Sequence, residues 1–209
     1  MNIIEELRYH ETNQLDEWYD TKEKEQKRFL KGIVKYGEQH PDELKHYCSS
    51  TIPDEFSSLS LVYEALSEYS VSWNQFLFDE IQRVVLLAKN GRIDPEYLEV
   101  LEDIETEDIY SKTEEIYVQI IDFLVGNLSL TGNGKFNFQL LELLDWYLTD
   151  YDEDDDVHDG EVWVARIKEF AIEGSPEIKE KAREVLDNFD LDFSFSPLTF
   201  KERISRFFK

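Results

Sequence analysis

Asp150, Asp152, Asp154, Asp156 and Glu161 fall at positions 1, 3, 5, 7 and 12 of one segment, the spacing at which a calcium loop presents its oxygen ligands. Val157 adds the apolar residue at position 8, and helical patterns flank the segment on both sides. A bound calcium would neutralise several carboxylates that otherwise repel one another. Against this, position 6, where such loops turn on glycine, is Asp155, and position 9 is His158. Acid-rich runs produce the same spacing without a metal, and a like-charge block is commonly a solvated or interacting segment. The principal reading is therefore a binding segment with no metal site, with calcium on Asp150, Asp152, Asp154, Asp156 and Glu161 as the alternative.

Other residues that could do chemistry lead nowhere. His10-Glu11-Thr12-Asn13-Gln14 opens like the zinc protease helix motif, but Gln14 stands where the second histidine is required. Cys48 lies two residues from His46, a spacing that points side chains to different helix faces, so no thiol and base pair is expected. His40, His46 and Cys48 could supply three zinc ligands, yet no paired Cys or His cluster completes a structural site. Gly132-Asn133-Gly134-Lys135 suggests a phosphate loop, but Ser129 replaces its first glycine and Phe136 the hydroxyl that binds magnesium. In so acidic a chain chance alone brings carboxylates together, so a pair suited to glycoside hydrolysis carries no information. No nucleophile, base and orienter come together, and the expectation is a protein that is not an enzyme and uses no cofactor.

What remains is the electrostatic field. The 209 residues carry 47 acidic and 22 basic side chains, a net charge of −25. Between Ile93 and Ala165 the only basic residues are Lys112 and Lys135, so the charge is concentrated. Such a field repels nucleic acid and anionic membranes and attracts basic proteins. A hydrophobic content of 41% with 14% aromatics is enough for a folded globular core rather than an acidic tail. One cysteine and an N-terminus without the features of a signal peptide point to the cytoplasm, and no apolar run reaches the ~20 residues of a membrane helix.

The elements that must position this charge read as helices almost throughout. Leu15, Trp18, Phe29, Ile33 and Tyr36 predict a helix from Asn13 to Gln39, solvated over Lys22 to Arg28 and stopped by His40-Pro41. Helices follow at Asp42 to Tyr47 and Asp54 to Tyr69. Ser72 is the expected cap of the next, whose face of Phe76, Leu77, Ile81, Val84, Val85 and Ala88 runs to Asn90-Gly91 and suits a central position. Asp94-Pro95-Glu96 starts a helix through Ile104, and Ser111 with Glu114 forms a capping box opening one to Leu128, with Ile116, Ile120, Phe123 and Leu124 inward. A turn over Leu128 to Asn137 precedes a helix from Phe138 to Thr149, and another runs from Val162 to Ile172. Ser175-Pro176-Glu177 and Ser196-Pro197 repeat the cap-proline device. Lys201, Arg203, Arg206 and Lys209, interleaved with Phe200, Ile204, Phe207 and Phe208, predict a basic amphipathic helix whose aromatics pack on the body and whose charges sit near the acidic face. A membrane surface is its alternative partner.

The fold class is thus all-α, with about 8–10 helices, either an irregular bundle or a HEAT-like α-solenoid. The candidate helix pairs are Trp73 to Ile104, Ser111 to Thr149 and Val162 to Phe189, and the cap-proline starts at Asp94 and Ser175 lie 81 residues apart, about twice a HEAT period of ~40–47. One domain is expected over 1–209: N-terminal helices to 70, a helix-pair body over 71–190 holding the acidic loop 150–161, and a C-terminal helix over 196–209.

A small, strongly acidic helical protein of this kind resembles the immunity proteins of bacterial toxin systems. The resemblance implies a cognate basic toxin domain, often a nuclease, as partner, and neutralisation by occupying its active site or substrate path. The expected contact residues are Asp150, Tyr151, Asp152, Glu153, Asp154, Asp155, Asp156, Asp159, Glu161 and Trp146, with Tyr151, inside the polar run, as the favoured exposed aromatic anchor. Tyr147 and Trp163 also flank the run, and core packing competes with exposure for Trp146 and Trp163. A DNA mimic would instead align two rows of carboxylates at duplex spacing and occupy a nucleic-acid-binding protein. A calcium-responsive helical protein is the third class.

Overall fold

A computed structural model describes residues 2–13, 23–54, 58–104, 109, 113–148 and 160–187. The protein is all-α, and no strand occurs among the described residues. The chain divides into two compact units, Met1–Leu124 and Val125–Lys209. No linker marks the division in the sequence, because it falls inside a helix.

In the first unit, α1 (Ile3–Asn13) buries Leu7 and carries Glu5 and Glu6 in its first turn, where carboxylates suit the helix dipole. α2 (Glu23–Gln39) buries Phe29, Leu30, Ile33 and Val34, while Lys24, Glu25, Lys27 and Arg28 are exposed as expected. The part of the predicted long helix over 14–22 lies outside the described residues. Pro41 excludes helical backbone at His40 and opens α3 (Pro41–Ser50), which runs three residues past its predicted end. α4 (Leu59–Tyr69) starts later than predicted, since Asp54 is not helical. It is buried over most of its circumference, with Leu59, Leu61, Val62, Tyr63, Ala65 and Leu66 all in the core. Each of the three leucines and Val62 contributes ~1.5–3 kcal/mol relative to exposure.

Ser72 does not cap the following helix. It sits inside a 3₁₀ turn at Val71–Trp73, and its hydroxyl shares a 2.9 Å hydrogen bond with that of Ser70. The Trp73 ring is buried at the end of that turn, and α5 (Asn74–Lys89) begins one residue later than a Ser72 cap would start it. α5 buries Leu77, Ile81, Val84, Val85 and Ala88 along one face, but Gln75, Asp79 and Leu86 are exposed, so α4 is the more central helix. Its stop is a Schellman closure: Gly91 adopts φ 66°, its N–H bonds to the Ala88 carbonyl, and the Arg92 N–H reaches Leu87 at 2.8 Å. The Asp94 carboxylate then accepts from the Glu96 N–H at 3.0 Å, and the chain winds as a 3₁₀ helix, Pro95–Leu101, shorter than the predicted helix to Ile104. α6 (Glu114–Asn127) buries Ile120 and Leu124, while Ile116 and Phe123 are half-buried. Ser111 and the Glu114 side chain of the predicted capping box lie outside the described residues. α2 packs on α1, α3 and α4, and α5 packs on α4 and the 3₁₀ helix.

Three tyrosine, carboxylate and guanidinium groups tie this unit together. Glu80, 4% exposed on the apolar face of α5, accepts from the Tyr63 hydroxyl at 2.8 Å and from Arg83 Nε and Nη2 at 3.0 and 2.8 Å. Arg83 Nη1 also donates to the Thr51 carbonyl at the end of α3 at 3.4 Å. Burial lowers the guanidinium pKa, but the hydrogen bonds to Glu80 and the charge and hydroxyl interactions with Glu80 and Tyr63 together outweigh it, and the net shift is upward. The network joins the end of α3 to α4 and α5.

In the second unit, α7 (Gly134–Leu148) begins four residues before its predicted start. Asn133 caps it by accepting from the Lys135 N–H at 2.9 Å, and Asn137 clamps the turn by bonding both the N–H and the carbonyl of Ser129. α8 (Gly160–Glu173) begins two residues before and ends one residue after its predicted bounds, and α9 (Pro176–Asp187) starts at the predicted Pro176, with the Ser175 hydroxyl near the Ile178 N–H. α9 packs against both α7 and α8 around Leu140, Leu144, Trp163, Phe170, Ala182 and Val185. The predicted helix at 196–209 lies outside the described residues.

Candidate protein-docking face

Helix spacing sorts α7 into two stripes. Phe136, Leu140, Leu144, Tyr147 and Leu148 are buried, whereas Lys135, Gln139, Glu142 and Trp146 recur at four, seven and eleven residues on the outer side. Trp146 is 56% exposed at the last turn of the helix, while Trp163 is fully buried and Tyr147 nearly so. Of the aromatics that flank the acidic run, these two serve the core and Trp146 faces solvent. On the far side of the run, Glu161 and Val162 in the first turn of α8 are also exposed, Val162 by 63%. Asp150, Tyr151, Asp152, Glu153, Asp154, Asp155, Asp156 and Asp159 lie outside the described residues. An exposed indole and an exposed valine therefore bracket in sequence the most acidic stretch of the chain.

The carboxylates beside Trp146 are held in place from α9. Lys181 Nζ donates to Asp145 Oδ2 and Glu142 Oε1, each at 2.7 Å, and lies 3.2 Å from Glu184 Oε2. Desolvation lowers the pKa of this ammonium, but its hydrogen bonds to Asp145, Glu142 and Glu184 together raise it further than burial depresses it. One cation facing three carboxylates leaves the cluster net negative while fixing its side chains. This arrangement was not legible as a site in the sequence, although Lys181 interrupts the apolar stripe Ile178, Ala182, Val185 and so signals a buried charge.

Because the folded pKa of Lys181 is raised, its contribution is complete below the unfolded value of ~10.4 and is lost as pH rises through the higher folded value. Stability of this unit should therefore stay level through neutral pH with respect to Lys181 and decline only in strong alkali. Lys181→Met removes the cation and leaves Glu142, Asp145 and Glu184 repelling one another. A loss of about 2 kcal/mol is expected at pH 7 in dilute salt, smaller at about 1 M salt, which screens the repulsion; urea unfolding at the two salt concentrations checks this. An equal loss at both would show that the methylene packing of Lys181 matters and its charge does not.

Cys48 is fully buried and unpaired, and burial foremost, with the nearby Glu80 charge, raises its thiol pKa, so it is a poor nucleophile. His46 is exposed on the opposite side of α3. Glu11 accepts a 2.5 Å hydrogen bond from the buried Tyr47 hydroxyl, a structural role. Among the described residues no three His, Cys, Asp or Glu side chains are arranged to hold a metal ion, and the four calcium candidates other than Glu161 are not among the described residues. No described helix is long and apolar enough to cross a membrane.

Comparison with protein-family models, with curated proteins and with solved structures returns no match. The site must therefore be interpreted from its own chemistry. An exposed indole gives a partner a large rigid apolar contact with few rotamers to freeze, and flanking carboxylates favour a cationic surface around it. That combination suits macromolecular docking.

Proposed function

We propose that this protein binds a basic protein domain through the face that carries Trp146, Glu142 and Asp145 and through the adjoining acidic run, and that the partner is a toxin domain neutralised in the manner of an immunity protein. The observation that carries the reading is the exposure of Trp146 on the same helical stripe as an anchored carboxylate. Hot spots in protein interfaces are commonly aromatic residues ringed by polar groups, and the charge around them mainly accelerates encounter and selects the partner. The net charge of −25 supports a cationic partner over nucleic acid.

Affinity capture from the cell of origin, at low and moderate salt, tests the proposal. Recovery of a stoichiometric basic domain whose activity is blocked supports neutralisation. Recovery of repressors or restriction enzymes that duplex DNA displaces would replace the reading by DNA mimicry, and calcium-dependent stability in the absence of any protein would replace it by the metal reading. With the partner in hand, reversing Asp154, Asp155 and Asp156 to Lys should lower the association rate about tenfold at low salt while leaving the melting temperature unchanged. An unchanged association rate would remove the acidic run from the docking surface.

A further inference from the structure

The first unit contains a cleft of about 370 Å³ between the α2–α3 corner and the start of α5. Its apolar wall is made by Trp73 and Phe76, whose rings meet edge to face with centroids 5.4 Å apart and planes at 79°. The Trp73 ring lies so close to the backbone of Gly37 that a Cβ there would come within 2.9 Å of it, so the indole is seated directly against the turn of α2 that leads to Glu38. Glu38 and Asp79, both exposed carboxylates, stand on the rim, and Gln75 Nε2 donates to Asp79 Oδ1 at 3.2 Å.

A cation already occupies the rings. Lys45 Nζ, from α3, lies 5.7 Å from the Trp73 centroid and 5.6 Å from that of Phe76. Among the described residues no carboxylate is within ion-pair distance of this ammonium, although the chain is rich in them. The negative ring faces, rather than a paired acid, hold it there, at a strength of the order found for exposed cation–π contacts. Lys45 is itself exposed and on a flexible stem, so it can swing into water and uncover the half-buried Phe76 ring beside the 6% exposed Trp73, with two carboxylates on the rim.

We propose that this cleft is a receptor for a basic side chain of a protein partner, with Lys45 acting as a tethered surrogate that the incoming arginine or lysine displaces. The inference rests on the reading that the protein binds a basic partner, but concerns a different surface. Arginine is the better fit of the two, because its planar guanidinium stacks on aromatic faces and is more weakly hydrated than an ammonium. The rim carboxylates supply the charge complement, and the two rings supply contact that a neutral side chain would use less well.

The test uses the full chain and small probes: Nα-acetyl-arginine amide, the lysine equivalent, and the glutamine equivalent as neutral control, titrated at constant ionic strength while the Trp73 indole and Phe76 ring resonances are followed by NMR. The cationic probes should shift these resonances saturably and the neutral probe should not. Lys45→Ala should tighten arginine-probe binding about two- to fivefold by removing the internal competitor, whereas Lys35→Ala, an exposed lysine elsewhere on α2, should leave it unchanged. Glu38→Gln with Asp79→Asn should weaken it several-fold. Equal responses to all three probes, no gain in Lys45→Ala, or the same gain in Lys35→Ala would each overturn the proposal. Trp146→Ala should not alter probe binding. Loss of the cleft response with an intact Trp146-dependent complex discards the cleft alone, and a cleft that binds arginine in a protein that captures no basic partner discards the docking reading alone.

Discussion

Replacing Arg83 by Met should destabilise the Met1–Leu124 unit by about 3–5 kcal/mol, the loss typical when one partner of a buried ion pair is removed. Glu80 is then left 4% exposed with only the Tyr63 hydroxyl to solvate it, and the end of α3 loses its tie to α5. Thermal unfolding should fall by roughly 10–15 °C for a unit of this size. The double variant Glu80→Met, Arg83→Met should recover about 2 kcal/mol of the loss, because no orphan charge remains; the residue of about 1–3 kcal/mol is the Tyr63 hydroxyl deprived of its acceptor. A single variant that loses under about 1 kcal/mol would mean that water reaches Glu80 and that the network is peripheral to stability.

Trp146→Ala should weaken the complex with the basic partner by 2 kcal/mol or more, about 30-fold in Kd, mostly through faster dissociation. The substitution should leave the melting temperature within about 2 °C, since a 56% exposed side chain on the outer stripe of α7 contributes little to the core. Surface plasmon resonance on the two proteins reads both rates. The contrast with the Asp154, Asp155 and Asp156 reversal is diagnostic, since that change acts on association and depends on salt. A Trp146→Ala complex of unaltered lifetime would move the hot spot elsewhere.

Much of the helical layout was legible because its signals are local. His40-Pro41, Asn90-Gly91, Asp94-Pro95 and Ser175-Pro176 each set a helix boundary through backbone chemistry confined to a few residues, and the boundaries fall there. Ser72 misled because a good capping hydroxyl was outweighed by the packing of the adjacent Trp73, a tertiary effect. The early start of α7 turned on Asn133, whose capping role was hidden in a stretch read as turn. The division into two units left no trace in composition because it lies within α6.

The candidate site was legible only in part. Trp146 and Trp163 have similar neighbourhoods in sequence, and their opposite fates follow from stripes: Trp163 shares a face with Ile167, Phe170 and Ala171, and Trp146 with Gln139 and Glu142. That assignment could have been made from spacing alone. The clustering of Glu142, Asp145 and Glu184 on Lys181 could not, since it joins residues nearly forty positions apart across α7 and α9. The Lys45 contact with Trp73 and Phe76 is likewise tertiary, set by the corner between α2 and α3.

Cys48, sealed among the core of the first unit, makes that unit its own reporter. A thiol reagent added to the native protein has one target, and that target becomes reachable only when α3 and its neighbours part. The rate of modification under mild conditions therefore counts openings of the Met1–Leu124 unit with no label or engineered residue, while Val125–Lys209, which lacks cysteine, stays silent. The same seal lets the folded chain pass between reducing and oxidising surroundings without cross-linking to a second copy.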